Sequence, residues 1–224
     1  MIEQLHPRIT ENKDWATLLF VLCFAVIAIT KTIYDHRFGD FTKLLFSDKY
    51  AKIYRDSSHI KSGFTIALFF VQIISFAFFI QLTLSSLKLG NASKTDWALY
   101  IQIATFLSFF ILSKYLIEKI VATSFNIEEF VEHFNLQKVT YRAYIGILIL
   151  PVNAILFYYD DISKNVPLTI LAISLCISLF SYFISIKNYQ NVILSKLFYF
   201  ILYLCALEIA PYYFMYYWFT KGSA

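Results

Sequence analysis

The chain has 224 residues, a formal charge of +4, 59% hydrophobic residues and only 15% charged ones. Soluble domains run near 45–50% apolar and about 25% charged, so this composition excludes a soluble globule, a disordered chain, a collagen and a coiled coil, and leaves an integral membrane protein. The positive charge is spread over short segments between apolar runs, so no basic domain exists to hold nucleic acid.

A helix needs about 20 mostly apolar residues to cross the hydrocarbon core. Six stretches meet that length: Trp15–Ile33, Phe64–Leu87, Trp97–Val121, Tyr141–Tyr159, Val166–Ile186 and Lys196–Phe219. They predict an all-α, polytopic membrane protein with six helices in one bundle. The runs are too long and too uniformly apolar for the alternating strands of a membrane β-barrel. The first run is expected to be a retained span and not a signal peptide. Glu3, Glu11 and Asp14 outnumber Arg8 and Lys13 ahead of it, whereas a signal peptide wants a positive start. Trp15, Trp97 and Trp218 stand at span ends, where amphipathic rings favour the interface.

Six spans put both termini on one side. The segments on that side hold six Lys and Arg residues and the opposite segments hold twelve, with Lys114 inside a span. The positive-inside rule makes the richer side cytoplasmic. Residues 1–14 and the tail at 220–224 are then extracytoplasmic, and the loops at 34–62 and 122–140 are cytoplasmic. No repeat relates the two halves, which disfavours an inverted-repeat transporter. The abundance of Phe and Tyr, 24 and 17 residues, predicts packing by large side chains.

The loop at 34–62 places Phe38, Phe41, Leu44, Leu45 and Ile53 at roughly helical spacing, beside Lys43, Lys49, Lys52 and Arg55. It reads either as an interfacial helix touching anionic lipid or an acidic partner, or as a short packing helix. Glu128, Glu129, Glu132 and His133 in the second loop are expected to form a solvated helix face. No histidines pair at metal-ligand spacing, and Cys23, Cys176 and Cys205 all lie in apolar runs. Neither a metal nor another cofactor is therefore expected.

Ionisable groups inside a span are costly and stand as functional candidates. Lys114 and Glu118 share a face of the third span at i,i+4 and can pair. Glu208 sits near the middle of the last span, three residues before Pro211. A proline there removes an N–H and invites a kink. The fourth span has a comparable element in Gly146, Pro151 and Asn153, and Asn153 can hydrogen-bond a neutral Glu. Gln72, Gln81 and Gln102 are further polar candidates.

The stretch Tyr199–Pro211, YFILYLCALEIAP, resembles the closing signature of domain-of-unknown-function family 4271, inner-membrane proteins of Bacteroidota. FNLQKVTYRAYIGILILP, from Phe134 to Pro151, is similar to its central signature. The resemblance implies a multi-span inner-membrane protein of a two-membrane cell and brings no known activity or catalytic residue. Three functions remain open: a non-enzymatic subunit or accessory of a larger membrane assembly, a small transporter or channel using Glu208, and a membrane enzyme acting on lipid or isoprenoid. The third lacks a phosphate loop, nucleophile elbow or zinc helix. The expected partners are the bilayer, anionic lipid at the cytoplasmic face, and other inner-membrane or envelope proteins.

Overall fold

The structure, a computed structural model, describes residues 13–44, 62–87, 93–124, 128–159 and 165–188. These residues form helices α1 (Asp14–Ile33), α2 (Asp35–Thr42), α3 (Gly63–Ser86), α4 (Trp97–Ser124), α5 (Glu128–Tyr158) and α6 (Asn165–Asn188), with no strand among them. Four are long and apolar enough to cross a membrane: α1, α3, α4 and the Asn135–Tyr158 part of α5. The protein is thus an all-α membrane protein. The sixth expected span, Lys196–Phe219, lies outside the described residues.

Local chemistry sets the helix starts. Ser62 Oγ accepts from the Thr65 N–H at the head of α3, and Asp96 Oδ1 accepts from the Ala98 and Leu99 N–H groups at the head of α4. Each cap satisfies backbone donors that the first turn leaves without partners. Gln81, buried near the end of α3, donates from Nε2 to the carbonyls of Asp96 at 2.7 Å and Ser93 at 3.1 Å. That ties the turn between α3 and α4 to the bundle.

One aromatic cluster fixes the direction of the four long helices. Phe78, fully buried, lies 4.4 Å from Phe20, 4.5 Å from Tyr100, 5.7 Å from Trp15 and 5.8 Å from Phe157, centroid to centroid. These rings come from the start of α1, the end of α3, the start of α4 and the end of α5. Each of these four helices therefore reverses the direction of the one before it. Such ring pairs contribute about 0.5–1.5 kcal/mol apiece beyond their burial. Trp15, expected at the lipid interface, turns its ring into this cluster, while Trp97 is exposed.

At the opposite end, α2 folds back under the bundle. Phe41 and Leu44 are buried with Phe64 and Leu68 of α3 and Tyr141 and Ala143 of α5, with Phe38 packed beside them. Of the two readings of this loop, the described part follows the packing helix, with Lys43 exposed at its end. Residues 128–140, expected outside the bilayer, are helical too and run without a break into the fourth span, so that α5 carries Pro151 in its interior.

The apolar side chains facing outward, among them Leu18 and Val21 on α1 and Phe106, Phe109 and Leu116 on α4, would form an aggregation-prone patch in water. Against lipid tails they cost nothing, because the tails are equally apolar.

Candidate functional site

Among the described residues, two polar layers cross the bundle. The first is the seam between α3 and α5, which run in the same direction. Gly146 makes this seam possible: a Cβ there would lie 3.0 Å from the Gln72 Cα and 3.2 Å from its Cγ. A residue without a side chain lets the two backbones approach closely. Beside it, Ser75 Oγ donates to the Gly146 carbonyl at 2.7 Å, and Asn153 Nδ2 donates to the Ser75 carbonyl at 2.7 Å. Pro151 stands between Gly146 and Asn153, where its ring and missing N–H disturb the backbone ladder of α5. The seam bonds thus gather around the disturbed turn. The expectation of packing by large side chains holds for the aromatic cluster and fails here, where Gly146 permits close approach and Ser75 bonds to its carbonyl.

This seam also holds buried polar atoms with no hydrogen-bond partner among the described residues: both amide atoms of Gln72, and Asn153 Oδ1. Gln72 and Asn153 are essentially inaccessible. A buried polar atom left unmatched costs about 1–3 kcal/mol, so these atoms mark one place in the described bundle that suits a further polar group, as do both amide atoms of Gln137.

The second layer joins α4 to α5. Lys138 Nζ donates to Glu118 Oε1 at 2.9 Å, with the two side chains only 7% and 4% exposed. A buried ion pair adds little net stability, but removing one partner strands the other charge. The helices here run antiparallel, and both helices carry charged residues at i,i+4 spacing. Glu118 opposite Lys138 therefore sets Lys114 level with Arg142, and both of those residues line one cavity. The four side chains make a layer of three cations and one carboxylate near one end of the bundle.

At that same end Arg37 of α2 is buried. It donates to Ser62 Oγ at 2.7 Å and to Thr65 Oγ1 at 3.3 Å, and its guanidinium lies 4.6 Å from the centroid of the Phe64 ring. It closes α2 onto the head of α3.

Of the residues singled out in the sequence, the structure places Asn153 in the seam, Lys114 and Glu118 in the charged layer and Lys43 on the surface. Glu208, Pro211, Lys49, Lys52 and Arg55 lie outside the described residues. Lys138, Arg142, Ser75 and Arg37 were not among the sequence candidates. The signal for the first two was present: the pair Lys138 and Arg142 repeats on α5 the four-residue spacing of Lys114 and Glu118 on α4.

The family model described as Domain of unknown function (DUF4271) matches residues 16–219, and the chain belongs to that family. No curated protein and no solved structure matches it.

Proposed function

For a DUF4271 membrane protein with this packing, we propose a non-enzymatic role as subunit or accessory of a larger assembly in the inner membrane of a Bacteroidota cell. The chain crosses the bilayer several times, with both termini on the periplasmic side. One observation carries the reading: three sets of buried polar contacts tie helix to helix across the bundle. Ser75 and Asn153 lock α3 to α5, Glu118 and Lys138 lock α4 to α5, and Arg37 locks α2 to α3. That is the design of a rigid scaffold presenting apolar helix faces. The test is purification of the tagged full chain from its own cell in mild detergent, with quantitative mass spectrometry. A stoichiometric membrane or envelope partner is expected. Recovery of the chain alone would sink the proposal.

A second reading has its own support. The unmatched atoms of Gln72 and Asn153 suit a carboxyl group, and Glu208 supplies one at mid-span depth in the sequence. In that reading the seam is part of a proton or cation site. Glu208→Gln should then abolish ion flux in liposomes at unchanged protein level, and wild-type flux in that variant would end this alternative.

A further inference from the structure

We propose that the groove between α3 and α4 holds one acyl chain of an anionic phospholipid, with the headgroup seated at Lys114 and Arg142. The proposal goes beyond the accessory role and stands independently of it.

The groove has a volume of about 690 Å³ and twelve lining residues, nine of them apolar. That volume is within the ordinary range for sites that hold small molecules, about 300–1,000 Å³. Its α3 wall is Phe76, Ile80 and Leu84, one turn apart. Its α4 wall follows one helix face from Leu99 through Phe106 to Lys114. At 1.5 Å rise per residue the α4 wall is about 22 Å long. One leaflet of the hydrocarbon core is about 15 Å deep, half of its full thickness, so an ordinary acyl chain fits within the groove lengthwise.

The two ends differ in chemistry. Leu84 and Leu99 close one end, and Lys114 with Arg142 closes the other. An apolar channel terminated by two cations matches an amphiphile with a negative head. Arg142 stands seven residues into the Asn135–Tyr158 span, toward the edge where headgroups sit. Lys114 is 17 residues along α4 from Trp97, which places it about 26 Å from that start, close to the far boundary of a 30 Å core.

The test is photo-crosslinking in the full chain, with benzophenone-alanine at Phe106 in the groove and, in a separate protein, at Phe109, which is 72% exposed and does not line it. Each is reconstituted in vesicles of phosphatidylcholine with a minority of phosphatidylglycerol, irradiated, and its adducts are identified by mass. At about 1 kcal/mol for each basic residue facing an anionic headgroup, the residue 106 adducts should be enriched in phosphatidylglycerol about 30-fold over the vesicle composition. Those at residue 109 should mirror it. The pair Lys114→Gln and Arg142→Gln should remove the enrichment. The charge-preserving pair Lys114→Arg and Arg142→Lys should keep it, which guards against misfolding as the cause. Adducts at residue 106 in the bulk lipid ratio would overturn the proposal. So would adducts to residues 196–219 or to a second copy of the chain, or enrichment that survives neutralisation of both cations.

Discussion

Replacing Gly146 with alanine should destabilise the bundle although it adds only a methyl group. The new Cβ would stand 3.0 Å from the Gln72 Cα, 3.2 Å from its Cγ and 3.3 Å from its Cβ. The nearest atom belongs to the backbone of α3, so no rotamer change relieves it, and the helix must retreat by roughly 0.5 Å to restore ordinary contact. A gap of that size forfeits about a quarter of the dispersion well for atoms facing it. It also stretches the 2.7 Å bonds from Ser75 to the Gly146 carbonyl and from Asn153 to the Ser75 carbonyl. Overpacking of this kind costs about 1–3 kcal/mol. In water alanine would recover about 1 kcal/mol through helix propensity. In a bilayer the separated helices stay helical, because the backbone has no other partner there, so little is recovered. A net loss of about 2 kcal/mol is a 30-fold fall in the folded-to-unfolded ratio. Titration of the micellar protein with sodium dodecyl sulfate, followed by tryptophan fluorescence, should show it. Gly39→Ala is the control, since a Cβ there meets nothing within 4 Å. The close-approach reasoning is refuted if Gly146→Ala unfolds at the wild-type midpoint or above it, or if Gly39→Ala loses as much.

The charged layer gives a second prediction. Glu118→Gln and Lys138→Met should each cost about 3–5 kcal/mol by stranding the partner's charge, while the double variant should recover most of that loss in the same titration. Additive losses would mean that the pair does not act as a unit. Arg37→Ala should loosen α2 and speed proteolysis near residue 44, with Arg37→Lys intermediate because an ammonium keeps the charge but not the fork over Phe64; equal rates in all three proteins would deny Arg37 this role. In a cysteine-free background, Lys43→Cys should react with an impermeant maleimide only when it is delivered from the cytoplasm, and Lys94→Cys only from outside. The reverse pattern would invert the proposed orientation.

The long helices were legible because hydropathy reports what a bilayer demands. The expected spans Trp15–Ile33, Phe64–Leu87 and Trp97–Val121 meet α1, α3 and α4 within three residues at each end. The first turns of α5 were invisible to that signal. Glu128 and Glu132 can sit on a helix outside the hydrocarbon, where no apolar run is required. Site residues divide in the same way. The cost of placing Glu118 in a span is readable from its position alone, but the identity of its partner depends on which helix packs beside α4. Gly146 weighs almost nothing on a hydropathy scale, yet it permits the close approach of α3 and α5.

That approach and the groove have a common origin in side-chain size. On the face of α3 that meets α5, Ser75 and the space above Gly146 allow near backbone contact. On the face that meets α4, Phe76, Ile80 and Leu84 confront Phe106, Leu107 and Phe110. Large residues on both sides hold two helices apart, and they leave space wherever they fail to interdigitate. A helix drawn tightly to α5 by small residues cannot also move out to fill the gap toward α4. The groove is therefore a consequence of the seam, and a bulky residue at position 146 should narrow the groove as it opens the seam. The lipid adduct yield at residue 106 should then fall in Gly146→Leu even where the protein remains folded. An unchanged yield in that variant would separate the two features.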